Sequence, residues 1–323
     1  MHSSQILLIL MKIKFLPVRQ NKLGDLKFYP GFGFIIFHLL FNISFVVCDY
    51  SWVMQGPMTT MQILYIGMES VFLGSSITVS VGVGLSMVRS GPSILDLNCP
   101  VSKMFMAKQI LVLLSYFIGV LFSKMEWFLQ LDPVTDAYLL VSIVFLILYN
   151  SIMLFCMFAF LHACTANFQS KCRDALVKDQ LNSEDLINLI KEYKLFKSGL
   201  EYILLLIFPL GQLVVIFAVY YFIISRMYWS LILAALAVFS IQYGIVHNVE
   251  IIYQQIEQIV SKGNSDAYRM MDMIKIHKMQ NQVGELEKSG PVTTFGFFTV
   301  NRGIFTAMVS TTITYILILI QML

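Results

Sequence analysis

Charge is scarce in this chain. Asp, Glu, Lys and Arg make up 13% of its 323 residues, roughly half the soluble average of about 25%. Too few charged side chains remain to cover a globular surface in water, and the apolar share of 58% points the same way. Chemistry is scarce as well. No Gly-rich phosphate loop, zinc motif, nucleophile elbow or pair of acids inside an apolar run occurs. No catalytic residue, metal-ligand set or cofactor is therefore expected, which favours a receptor, channel or transporter over an enzyme. No nucleic-acid partner is expected. Cys48, Cys99, Cys156, Cys164 and Cys172 are scattered without metal-ligand spacing. Three of them fall in or near a cytoplasmic half, where disulfides are disfavoured, so they read as small buried apolar residues. No Gly- or Pro-rich linker divides the chain, so residues 1–323 read as one domain.

What the chain has is long apolar runs. About 20 mainly apolar residues cross a hydrocarbon layer of roughly 30 Å as a helix. Seven stretches meet or approach that length: Pro30 to Cys48, Met61 to Met87, Gln109 to Phe122, Ala137 to Leu161, Tyr202 to Ile224, Tyr228 to Val246 and Thr306 to Met322. The runs are continuous rather than alternating, and lipid forces every backbone amide to pair internally, so helices are expected rather than strands. The fold class is all-α, a polytopic membrane protein with seven transmembrane helices. Ile6 to Met11 is too short for a signal-peptide core, and its positive charges follow it, so it reads as part of a cytoplasmic N-terminal helix.

Lys and Arg set the orientation, because short cytoplasmic loops retain positive charge. Twenty of the 22 fall in the N-terminal segment, the even-numbered loops and Arg302; Lys124 and Arg226 alone fall on the other side. The N-terminus is expected in the cytoplasm and the C-terminus outside. Two inner segments are far longer than turns. In 162–201, Leu186, Ile190, Tyr193 and Leu200 recur at helical spacing behind Asn182 and Ser183, which can cap a helix. In the second, Ile252, Ile256 and Ile259 prolong one face of the sixth span, and Met270, Met271 and Met273 follow. Such faces either lie flat on the membrane or extend the spans and pack together.

Several residues stand out as candidate sites. Glu69 lies in the outer part of the second span, where a carboxylate is costly unless it meets protein or water. Tyr65, Trp127, Tyr138 and Trp229 lie in the outer halves of the spans. Rings there either line a pocket for a small apolar molecule or form the aromatic belt of the membrane interface. In the last span, steps of three and four residues align Ala307, Thr311, Thr314, Ile318 and Gln321 on one stripe, with Val309, Ile313, Ile316 and Ile320 in other directions. A small and polar stripe on an apolar helix is either a packing seam or a water-facing wall.

The final ten residues, Thr314 to Leu323, read TYILILIQML. They resemble the C-terminal signature of insect gustatory receptors, TYhhhhhQF with h hydrophobic, except that Met322 replaces Phe. The run FGFFTVNRGIFTAMVSTTI, Phe295 to Ile313, looks like that family's final helix. Ile316 stands where sugar-sensing branches often carry an acid, which points toward a bitter, deterrent or other ligand. The resemblance implies a ligand-gated, nonselective cation channel for small-molecule tastants in the plasma membrane of sensory neurons, embedded in membrane lipid. It implies a homo- or heterotetramer joined by a helical cytoplasmic anchor from residues 162–201 and 248–305. It also implies a pore helix at 306–323, with Thr311, Thr314, Ile318, Gln321 and Met322 at the pore and gate. Tyr65, Glu69, Trp127, Tyr138 and Trp229 would then border the ligand pocket. The alternatives are an odorant-receptor-type subunit of the same superfamily, or a metabotropic receptor or transporter.

Overall fold

The computed structural model describes residues 17–20, 25–30, 81–90, 107, 110–112, 114, 115, 118, 157, 160–225, 230–269 and 272–321. The first apolar stretch beyond Pro30, most of the next three, and Tyr65, Glu69, Trp127, Tyr138, Trp229 and Met322 lie outside the described residues. Near the N-terminus, β1 (Val18–Gln20) pairs antiparallel with β2 (Leu26–Phe28) in the register Val18 to Phe28. Four long helices follow: α1 (Ser183–Ser225), α2 (Ser230–Tyr268), α3 (Met273–Lys288) and α4 (Arg302–Gln321). Helical segments at 81–90 and 160–177 pack beside them. Among the described residues, Ser183–Tyr220, Ala235–Tyr268 and Arg302–Gln321 are long and apolar enough to cross a membrane.

The boundaries differ from those expected. The inner amphipathic segment and the fifth span are one helix, α1, with no break near Tyr202. Nothing between Ser183 and Phe208 stops a helix, since Gly199 lies where a side chain would collide. A Cβ there would stand 2.0 Å from the Ser90 hydroxyl. The sixth span likewise continues through the polar residues beyond Val246 to Tyr268. The N-terminus of α1 is closed by a reciprocal pair. The Asn182 side chain accepts from the Asp185 amide at 2.8 Å, and the Asp185 carboxylate accepts from the Asn182 amide at 3.4 Å.

The two inner faces bury each other rather than standing free for the membrane surface. Leu186, Ile190, Tyr193 and Leu200 are buried together with Ile252, Ile256 and Ile259. Their hydrophobic surface drives the contact at about 25 cal/mol per Å² removed from water. Phe168 stacks between Tyr193 and Phe196 at centroid distances of 5.4 and 5.1 Å. The Tyr193 hydroxyl donates to the Gly290 carbonyl at 2.8 Å. Burial, reinforced by Tyr253 and Cys172, pushes its pKa far above the usual tyrosine range, so it remains a donor. Met273 departs from the expected packed run and is largely exposed.

α3 folds back along α2 because the chain has no side chain at the crossing. A Cβ on Gly263 would meet Val283 at 2.8 Å. Asp272 caps α3 by accepting from the Ile274 amide, and Met279, Gln282, Val283 and Leu286 are buried. Two α2 side chains then secure the connection ahead of α1. The Lys262 ammonium donates to the carbonyls of Leu176, at 2.8 Å, and Lys178 at the C-terminal end of 160–177, where positive charge is favoured. Asp266, 2% exposed, accepts from the Leu181 amide at 2.9 Å.

Asp266→Ala leaves that buried amide without its partner, a cost of about 1–3 kcal/mol. The expected result is a lower thermal midpoint for the detergent-solubilised protein, read by the decay of its size-exclusion peak on heating. An unchanged midpoint would mean that water replaces the carboxylate.

Candidate functional site

Among the described residues, the last helix is the least enclosed of the three that are long and apolar enough to cross a membrane. Only 17% of its most apolar window is buried, against 44% and 50% for the windows in α1 and α2. Its start is sharply defined. The Asn301 side chain accepts from the Ile304 amide at 3.0 Å. Phe295 and Gly296 have φ values of 48° and 79°, outside the helical region. Residues 295–301 therefore form a turn rather than the opening of the last helix, and α4 begins at Arg302, four residues before the expected Thr306.

Among the described residues, an ion pair, a ring cluster and an amide clasp attach α4 to its own bundle. Arg302 pairs with Glu250 of α2 at 2.6 Å. Phe305 packs edge-on against Tyr243 and Phe239, with centroids 5.5 and 6.1 Å away. Deeper in the apolar region, Gln212 of α1 donates its amide to the Met308 carbonyl at 2.8 Å and to the Thr312 hydroxyl. Thr312 in turn donates to the Met308 carbonyl at 2.9 Å. Met308 and Thr312 are the buried residues of α4.

A second amide lies close by. Gln242 of α2 is fully buried and donates to the carbonyls of Ile207 and Phe208 at 3.2 and 3.3 Å. A Cβ on Gly211 would come within 2.4 Å of its nitrogen. These carbonyls precede Pro209, which cannot donate to the preceding turn of α1. Gln212, Gln242 and Thr312 were missed in the reading of the sequence. Their signal was an uncharged polar residue in the middle of an apolar run, as in LGQLVVIF and FSIQYGIV.

Met308 and Thr312 mark the packed side, and the stripe of Ala307, Thr311, Thr314, Ile318 and Gln321, centred roughly a third of a turn around the helix from them, is exposed. The Thr311 and Thr314 hydroxyls donate to the Ala307 and Ser310 carbonyls at 2.8 and 3.0 Å, leaving their lone pairs outward. Val309 and Ile316 are half-buried. Ile313 and Ile320 are exposed, so direction rather than exposure separates the two sets. The stripe is thus not the seam by which α4 packs on its own subunit.

Elsewhere, a cavity of about 60 Å³ lies among His162, Thr165, Ser240, Asn248 and apolar neighbours from 160–177, α1 and α2. Cys164 and Cys172 are free and buried, and burial pushes the Cys172 thiol up to about 12, as expected of structural cysteines. Among the described residues no cluster of His, Cys, Asp and Glu could hold a metal ion.

No protein-family model and no curated protein sequence matches the chain. Solved structures do. The chain superimposes on the insect olfactory receptor OR5 from Machilis hrabei with a TM-score of 0.65 and 15% identity, covering 99% of this chain and 97% of that one. A second structure of that receptor, in complex with eugenol, gives a TM-score of 0.63 at 15% identity, with 99% and 98% covered. The chain has the insect olfactory receptor fold. That olfactory-receptor fold is a helical, polytopic membrane architecture extending over essentially the whole sequence, in keeping with the fold class expected from the apolar runs.

Proposed function

We propose that the chain is a gustatory-receptor subunit that opens a nonselective cation pathway when a small-molecule tastant binds. The observation that carries this reading is the geometry of α4. The terminal motif of the gustatory family lies on a spanning helix whose small and polar stripe, ending at Gln321, faces away from its own subunit. In a tetramer such stripes meet around an axis, with Thr311, Thr314, Ile318, Gln321 and Met322 lining the pore and gate. The anchor at 162–201 and 248–305 joins the subunits in the cytoplasm. The ligand site lies in the outer part of the bundle, bordered by Tyr65, Glu69, Trp127, Tyr138 and Trp229. The OR5 complex with eugenol supports a small organic ligand. Preferential binding to the open state shifts the closed-to-open balance. The chain resides in the plasma membrane of sensory neurons.

The fold likeness to OR5 favours one second reading, an odorant-type subunit of the same architecture. The TYILILIQ ending argues for the gustatory one. Expression of the chain alone, with current recorded while tastants and volatile odorants are applied, tests both. An agonist-evoked cation current is expected, with potency shifted by Glu69→Gln or Trp229→Ala more than maximal current at matched surface expression. In the same cells, an N-terminal epitope should label only after permeabilisation and one after Leu323 on intact cells. The reverse labelling would remove the assignment.

A further inference from the structure

The turn between α3 and α4 is a built element with one side chain left bare. Its strands are tied by the Val300 amide to the Val292 carbonyl at 2.9 Å and the Thr294 amide to the Phe298 carbonyl at 3.0 Å. Thr293 and Thr299 form a β-bridge between them, and Val292, Thr294 and Val300 are buried. At the tip, Phe295 occupies the left-handed region at a φ of 48°. Asn or Gly would sit there with less strain. The conformation docks the Phe295 ring edge-on against Tyr202, 4.9 Å between centroids. The Arg89 guanidinium lies 4.9 Å from the Tyr202 ring and 5.8 Å from that of Phe295. Phe298 docks against Phe208 at 5.7 Å. Between these two anchored rings, Phe297 is 78% exposed.

The docked rings fix the height of the bare one. Tyr202 marks the start of the apolar part of α1, and the spanning helix α4 begins five residues after Phe297. Phe297 therefore stands at the level where both helices enter the membrane. Neighbouring cations are already engaged: Arg89 with Glu201 at 3.4 Å, Arg302 with Glu250 at 2.6 Å, and Lys197 with the Ser289 carbonyl. The tip thus offers an apolar ring rather than free charge. We propose that Phe297 inserts into the cytoplasmic leaflet at the boundary between lipid headgroups and acyl chains, and so sets the depth at which α4 begins. The occupant is the lipid surface, because the bare ring stands where the apolar part of α1 and the spanning helix α4 both begin. The inference rests on the membrane-spanning fold and not on ligand gating.

The test replaces Phe297 with the photoreactive ring p-benzoylphenylalanine in the full chain, illuminated in membranes of the expressing cells. Met273, exposed on the anchor, carries the same probe as a control. Mass spectrometry is expected to find phospholipid adducts at 297 at least fivefold above those at 273. A covalent pair of two copies would assign the ring to a subunit contact instead. Adducts no more abundant than at 273 would place the ring in water, and either outcome overturns the proposal. Phe297→Trp gives an independent reading: its added fluorescence over the unsubstituted protein should be quenched in nanodiscs of lipid brominated near the glycerol ester. Absence of quenching would also overturn it.

Discussion

Ile318→Ser should raise ligand-independent current by about tenfold at matched surface expression, equivalent to a shift of about 1.4 kcal/mol in the closed-to-open balance. Ile318 is exposed, on a face of α4 other than the one that Met308 and Thr312 pack. In a fourfold assembly that position forms an apolar ring, which excludes ions by dewetting. Four hydroxyls in place of four sec-butyl groups hydrate the constriction, so the closed state loses its barrier. Gln321, one turn further along, places a polar ring beyond it, and its substitution should change ion permeability ratios. Cysteines at Thr314, Ile318 and Gln321 should react with external thiol reagents faster with agonist than cysteines at Ile313 and Ile320. Equal reactivity of the two sets in a conducting channel would mean that ions pass elsewhere.

The second large effect is expected where α1 holds α4. Gln212→Leu and Thr312→Val each remove the interhelical hydrogen bond between the Gln212 amide and the Thr312 hydroxyl. Polar bonds between membrane helices contribute about 0.6 kcal/mol on average and up to about 1.7. Basal current or agonist potency should therefore move roughly three- to twentyfold, provided that the bond differs between closed and open states. The double variant should resemble Gln212→Leu alone, because that change already removes the contact that Thr312→Val destroys, together with the bond to the Met308 carbonyl. Thr312→Ser, which keeps the hydroxyl, should stay near the parent channel. Strictly additive shifts would show that the two residues act separately and that the clasp plays no part in opening.

Helix identity and the buried faces of α1 and α2 were legible in the sequence because they depend on local periodicity. Leu186, Ile190, Tyr193 and Ile252 had to find an apolar partner, and they found each other. The Asn182 cap was legible for the same reason, as it acts within one turn of its own helix. Where an apolar span ends was not, because hydropathy falls where water begins while the helix continues through Ser183–Ser225 without regard to it. The turn at Phe295 was hidden, since an aromatic residue in the left-handed region is held there by Tyr202 and Arg89, far away in sequence. The clasp at Thr312 was hidden too. A hydroxyl on a helix looks the same in sequence whether it faces water, lipid or an amide on another helix, and periodicity singled out its neighbours Thr311 and Thr314 instead.

α1 is a single rod of 43 residues, about 65 Å long at 1.5 Å per residue. At one end it is clamped, by Tyr193 on Gly290 and by Lys194 on Glu285 at 2.6 Å. A rod clamped at one end and pushed at the other yields at its weakest turn. Pro209 supplies that turn, since it removes the backbone bond to the Leu205 carbonyl and crowds that carbonyl. Gln212 lies three residues beyond it, on the side of the joint away from the clamp. A displacement of the far end would then be taken up as a local flexure at Pro209 and would reach α4 through Gln212 at Met308 and Thr312, with the clamped end held in place.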